Sequence, residues 1–464
     1  MAIHRRDLLK AGSIALFALP LSTRLGHAAP GGLVLEAKPR PLQLPTCSAP
    51  TTAWTYAEQW PLELRIRHGE TFRATFLNHL AEHSSIHWHG LRIPQAMDGV
   101  PYVTQDPIQP GQSFDYEFTP PDPGFFFFHP HCDDITALAH GLAGVLIVED
   151  PREDGLFDLD RTLVLMDWRV RPDGSYDTIT TDKNAARAGT FGRLRTTNGQ
   201  IAPRLTVRPG SRVRLRCIGV DASRIPLIDV VGAEAKVIAT DGNACTPFAL
   251  PWPLGPAQRA EIAFVAPPAG QTVELQDIWQ STPVTLARIV SEGEPIRVGD
   301  DRPLALPAAA LPEPDLDKAE QLRLDLGAGV SDPAIEEFVK LIGGAGEICS
   351  TQRVFWSLNT KAWPGMGPGK LPEALARLQS GKSYVITLFN GTPHRHPIHL
   401  HGHSFKVLDN QRADVPAYWA DTVLVEPKER IRIAFVAGLP GKWMVHCHII
   451  EHQETGMMGY YEVV

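Results

Sequence analysis

The sequence predicts an all-β chain built from three copies of one β-sandwich. Three observations lead there. Glycine and proline are frequent, at 39 and 41 residues, and the runs between them are short, alternating and rich in Val, Ile, Phe and Thr, the pattern of half-buried strands joined by tight turns. A strand–turn–strand stretch then occurs three times: residues 64–78 around Gly69 match 205–219 around Gly210 and 376–390 around Gly381. A second element follows further on in each copy, at residues 110–118, 255–264 and 427–435, each ending in Phe.

Taken in order, the chain opens on residues 1–29. Arg5-Arg6-Asp7-Leu8-Leu9-Lys10 precedes an apolar run over 11–21 and a small-residue exit at Gly26-His27-Ala28-Ala29. Charged start, apolar middle and small-residue exit are the parts of a cleavable export signal, and the paired arginines give it twin-arginine character. The apolar run is shorter than the ~20 residues that span a bilayer. The mature chain is therefore expected in the periplasm or outside the cell, delivered by the export machinery and not inserted in the membrane.

The first sandwich is expected over 30–150 and the second over 151–300. A Pro- and Ala-rich stretch, 301–320, reads as an ordered but irregular linker, and the third sandwich follows over 321–464. At 464 residues the chain is too long for one core, and 43% hydrophobic with 21% charged residues suits several soluble globular domains. Residues 1–28 hold four Lys/Arg and one Asp, so removing their +3 takes the net charge from -8 to -11. That balance excludes nucleic acid and anionic membrane as partners. With Cys447 set aside as a metal ligand, Cys47, Cys132, Cys217, Cys245 and Cys349 remain. An oxidising compartment permits disulfides among them, but the number is odd, so at least one thiol stays free.

The repeat also aligns the histidines. Nine residues after Asn78 comes His87-Trp88-His89-Gly90, and nine after Asn390 comes His399-Leu400-His401-Gly402. Five residues after Gly124 comes His129-Pro130-His131, and five after Gly441 comes His446-Cys447-His448. At the matching place the middle unit has Leu275-Gln276-Asp277, and it contains no His. Four His-x-His pairs, each with both rings on one face of an extended segment, give eight imidazoles. That is too many for one metal and enough for three coppers between the two outer units.

The stretch from His446 to Met457 adds a second kind of site. Cys447, His452 and Met457 supply a thiolate, an imidazole and a thioether, the soft donors of an electron-transferring copper with a weak axial Met. On an extended backbone His446 and His448 project opposite to Cys447, so one strand end serves two metal centres.

These motifs resemble those of three-domain multicopper oxidases of the laccase group, over essentially the whole mature chain. The resemblance implies three cupredoxin-like Greek-key β-sandwich domains and four copper ions per chain. It implies a type 1 copper on His396, Cys447 and His452 with Met457 axial, a type 2 copper on His87 and His399, and two type 3 coppers on His89, His129, His131, His401, His446 and His448. A donor would lose one electron at a time near His396 or His452, with Cys447, His446 and His448 forming the route inward, and four such events would reduce O2 to water.

Reduction of O2 also needs protons, and Asp98 stands where relatives place a carboxylate beside the three-copper cluster, which implies a catalytic role in supplying them. Gln453 follows His452 where many bacterial relatives have Glu. An amide releases no proton in the accessible range, so that role would pass to Glu454, Glu451 or water. Asp421 resembles a residue near the copper sites of relatives, and His403 is the best candidate for a brace behind them. An axial Met points to a type 1 site of modest potential, hence to phenols, aromatic amines or low-valent metal ions as donors, with residues 409–420 as a candidate rim of the donor site. Phenol or aromatic amine oxidation is the first reading. A periplasmic cuprous or metal-ion oxidase is the alternative, weakened by only seven Met with no cluster beyond Met457-Met458. A non-catalytic exported structural protein would have lost ligands that are all present here.

Overall fold

The computed structural model describes residues 32–296, 304–328, 349–350, 354–363, 365–367, 371–409 and 415–464. The export-signal stretch lies outside the described residues. The chain is all-β, with cupredoxin-like sandwiches assembled from six main sheets. The first unit pairs a sheet containing Leu33–Leu42, Phe72–Asn78 and Ser113–Phe118 with one containing Leu62–Arg67, Gly144–Glu149, Gly124–His129 and His87–His89. The same strand order recurs in the other two units. Leu33–Leu42 runs parallel to Phe72–Asn78, as Leu159–Trp168 does to Arg212–Gly219 and Glu320–Ala328 to Ser383–Asn390. Leu62–Arg67 runs parallel to Gly144–Glu149, as Arg204–Val207 does to Val284–Ser291 and Ala376–Leu378 to Met458–Val463. Both recurring sequence elements are strands here, the second as Ser113–Phe118, Arg259–Val265 and Arg430–Val436.

Alternation explains which strands face water. In Phe72–Asn78 the buried positions are every second residue, so one face enters the core and the other does not. Gly124–His129 has a run of four Phe instead, and it is buried on both faces. Phe126 and Phe128 enter the core of the first unit with Phe76, Trp88 and Leu146, whereas Phe125 and Phe127 pack with Val164, Met166 and Trp168 of the middle unit. That strand is thus clamped between two cores, and it ends at His129. The middle and third units share one continuous core that includes Cys447 and Met457. Residues 304–319 carry no strand or helix. Cys132 is disulfide-bonded, and Cys47, Cys217, Cys245 and Cys447 are free thiols.

Candidate metal centre

The four His-x-His pairs sit where two strand pairs meet. In the first unit His87 is registered against His129, and in the third His399 is registered against His446. The two strand pairs face each other, so His87 stacks on His401 at 3.9 Å between ring centres and His89 on His399 at 3.6 Å. All eight rings are buried.

Most of the rings are turned by a backbone or carboxylate partner. His87 Nδ1 bonds the Asp98 carbonyl at 2.8 Å, His129 Nδ1 that of Pro130 at 2.8 Å, and His399 Nδ1 that of Asp421 at 2.8 Å. Two carboxylates tie the units crosswise. Asp98 of the first unit meets His401 Nδ1 of the third at 3.0 Å, and Asp421 of the third meets His89 Nε2 of the first at 2.9 Å. His403 reaches the His401 carbonyl through Nδ1 at 2.8 Å and accepts from the Gly438 N–H, so it braces the backbone behind a cluster histidine.

The nitrogens left over point inward. His87 Nε2, His89 Nδ1, His129 Nε2, His399 Nε2 and both nitrogens of His448 are buried with no hydrogen-bond partner among the described residues. Orphaned polar atoms at this density are costly unless something binds them. Protons cannot fill the role. Burial, reinforced by neighbouring histidines, pushes His89, His129, His131, His401, His446 and His448 well below the usual histidine range, so the rings are neutral donors. His131, His401 and His446 bring their Nε2 atoms together, with His446 at 3.0 Å from His401 and 3.4 Å from His131. His89, His129 and His448 form a second trio, with ring centres 5.0 to 5.9 Å apart. Neutral imidazoles converging around unsatisfied atoms suit late first-row metal ions.

A separate triad lies one residue away. His396 Nδ1 and His452 Nδ1 are 3.0 Å apart, and each is 3.5 Å from Cys447 Sγ. A point roughly 1.9 Å from all three atoms lies at the centre of that triangle, which suits a metal on one thiolate and two imidazoles. Burial raises the Cys447 thiol and lowers His452 to about 3, so the thiol ionises only with a cation in place. Met457 is fully buried in the same core, and its carbonyl accepts from Cys447 N at 3.0 Å. The outer edge of each imidazole is covered. His396 Nε2 meets Thr392 Oγ1 at 2.8 Å, and His452 Nε2 meets the Arg187 carbonyl of the middle unit at 2.5 Å.

The segment carrying Arg187 is held by Glu451, which accepts from Thr180 Oγ1, Thr190 N, Thr190 Oγ1 and Ser223 Oγ. Glu454 instead accepts from Ile135 N at 3.0 Å. Gln453 donates to Asp134 Oδ2 at 2.7 Å, and that oxygen lies 3.8 Å from His131 Nδ1. Burial raises the Asp134 carboxyl well above the usual range.

Asp134, Arg187 and Arg259 were invisible in the sequence as site residues, and Glu451 reads there only as a proton donor, not as the anchor of the Arg187 segment. Only Asp134 left a signal, as an acid three residues after His131. The candidate rim at 409–420 is described only in part. Residues 410–414 lie outside the described residues, and Trp419 and Tyr418 pack on the middle unit, where Thr240 Oγ1 donates to the Trp419 carbonyl and Trp252 packs on Tyr418. The cavity beside the triad, of about 540 Å³, is lined by other residues, among them Phe191, Ile225, Trp279, His394 and Ile449.

Residues 42–153 and 350–464 each match a family model described as multicopper oxidase. A multicopper oxidase structure from Pseudomonas thermotolerans is 35% identical with a TM-score of 0.82, covering 94% of this chain and all of that one. A multicopper oxidase of Mycobacterium tuberculosis is 27% identical over 90% of this chain and 84% of its own. Laccase-1 of Pleurotus ostreatus is 27% identical over 88% of this chain and 83% of its own.

Proposed function

The chain belongs to the multicopper oxidase family, and on that premise we propose that it oxidises phenols or aromatic amines one electron at a time, in the manner of a laccase. As a family member it is a copper-dependent oxidoreductase that uses O2 and a reducing substrate. In the proposed assignment His396, Cys447, His452 and Met457 would hold a type 1 copper. His87 and His399 hold type 2, and His89, His129, His131, His401, His446 and His448 hold the type 3 pair. The converging orphan nitrogens and the sulfur–nitrogen triangle support that set of four ions. When bound, copper supplies reversible one-electron chemistry at the thiolate and four-electron reduction of O2 at the cluster.

The protein's own groups do the rest. The Cys447 backbone joins the thiolate to His446 and His448 covalently, so the inward route needs no jump through solvent. The Asp98 carboxylate holds His401 by Nδ1, keeping Nε2 free. The Arg187 carbonyl keeps His452 Nε2 protonated and its Nδ1 bare, and it excludes water from that edge.

The donor class rests on the cavity. Its walls are aromatic and aliphatic, and its charged groups are already paired: Arg395 with Glu426 at 2.8 Å, Arg224 with Asp167 at 2.5 Å, and Asp277 with Arg195 at 2.8 Å. No Met lines it. Such a space takes a flat, neutral ring and offers a metal ion neither thioether nor free carboxylate. Oxygen uptake by the copper-loaded protein, driven by a phenol and then by Cu(I), is the test. Uptake driven by Cu(I) alone would make it a metal-ion oxidase instead.

Export is proposed from the twin-arginine stretch, with the Cys132 disulfide as support for an oxidising compartment. No helix among the described residues is long and apolar enough to cross a membrane.

A further inference from the structure

We propose that Arg259, from the unit that carries no histidine, is a positioning residue for the copper cluster: its guanidinium orients Asp421 so that His89, against the carboxylate, offers Nδ1 and His399, against the carbonyl, offers Nε2 to the metal. The proposal rests on the copper reading above.

Arg259 opens the strand Arg259–Val265. Aligned on the closing Phe of the repeated element, its counterparts are Ser113 and Arg430, both exposed. Arg259 alone of the three is buried, at 1% exposure. A buried guanidinium must spend every donor well, and this one spends them on all three units. Nε donates to the Phe125 carbonyl of the first unit at 3.1 Å, and Nη1 to the Ala257 carbonyl of its own at 3.1 Å. Nη1 and Nη2 then grip Asp421 of the third unit side by side, at 2.9 Å to Oδ1 and 2.5 Å to Oδ2. A two-point grip fixes the plane of a carboxylate as well as its place.

That plane is what His89 reads. Asp421 Oδ1 lies 2.9 Å from His89 Nε2, with Thr422 Oγ1 at 3.0 Å on the same nitrogen. A carboxylate only accepts, so Nε2 carries the proton and Nδ1 is left bare, buried and unpartnered. The backbone is held as well: Asp241 Oδ2 accepts from Asp421 N at 3.2 Å and Thr422 N at 3.0 Å, while its Oδ1 accepts from Arg259 N at 2.8 Å. The Asp421 carbonyl sets His399 by the same logic, at 2.8 Å from Nδ1.

The glycine of His87-Trp88-His89-Gly90 fits this pair. A Cβ at Gly90 would stand 2.3 Å from Asp421 Oδ2 and 2.6 Å from Arg259 Nη2, and its φ is +85°. The first unit therefore leaves a side chain out where the other two units place the ion pair.

The test is R259Q and R259K in copper-loaded protein, read by copper per chain, by the electron paramagnetic resonance of the type 2 copper, and by the blue thiolate band. The blue band belongs to Cys447 and serves as the internal control. R259Q is expected to keep that band, to bind less copper with an altered type 2 signal, and to lose about 10–100-fold in oxygen uptake, the usual cost of losing a ligand's partner. R259K keeps the charge without the fork, and its type 2 signal is expected to shift too. If R259Q does not fold, R259K carries the test. Full copper and an unchanged type 2 signal in either folded variant would overturn the proposal. A wild-type protein that takes no copper would instead sink the reading it rests on.

Discussion

Removing the aromatic walls of the cavity tests the donor assignment without touching the copper ligands. Phe191 and Trp279 are 48% and 54% exposed, so neither holds the core together. Each carries an arginine on its face, Arg224 over Phe191 at 4.9 Å and Arg395 over Trp279 at 3.9 Å, contacts worth about 0.5–1 kcal/mol at exposed sites. The thermal midpoint of F191A/W279A should therefore move little. A phenol ring lying against either side chain gains about 0.5–1.5 kcal/mol per aromatic contact. Losing both costs roughly 1–3 kcal/mol, a rise in KM between about 5-fold and about 140-fold. The assay is oxygen uptake against phenol concentration, with the blue band and an outer-sphere donor as controls. KM should rise while both controls hold. An unchanged phenol KM in the double variant would refute the cavity as the donor site.

Three further outcomes follow from the same geometry. C447S should abolish the blue band and turnover with every donor while the histidine cluster still binds copper, checked by metal counting beside absorption. Q453E would place a second carboxyl against Asp134, 2.7 Å from the present amide nitrogen, where two buried carboxyls must share a proton. Its folded pKa is raised over the unfolded one, so Q453E should match wild type near pH 4 and grow less stable as pH rises, by thermal melts; an unchanged pH profile of turnover would remove position 453 from proton delivery. At Asp160 burial alone would raise the carboxyl, but Arg216 and Arg214 hold it below the usual range. A depressed carboxylate stabilises above its unfolded pKa and loses that contribution as pH falls, so D160N should be less stable than wild type at pH 7, with the gap closing below about pH 4.

What could be read from the chain follows from what leaves a period or a spacing. Strands repeat every two residues and the three units repeat one another, so the sandwiches and the alignment of His87 with His399 were legible. The His-x-His pairs were legible because both rings of a pair share one face of a strand. Contacts across units leave no such trace. Arg259 reads as an ordinary basic residue at the start of a strand, and only the packing of three units puts it on Asp421. Arg187 acts through its carbonyl, which every residue has. Gln453 could be seen to lack a proton, but Asp134 lies 319 positions away in the chain, and only the docked helices bring the two together.

The central claim is that these residues hold a blue type 1 copper wired to a three-copper cluster. The most direct test is copper counting with absorption spectroscopy on copper-loaded wild type, followed at once by phenol-driven oxygen uptake. The account predicts about four coppers per chain, an intense thiolate-to-copper band, and bleaching of that band by the phenol with uptake of O2. Full copper loading without the blue band would contradict the Cys447 assignment and the route built on it.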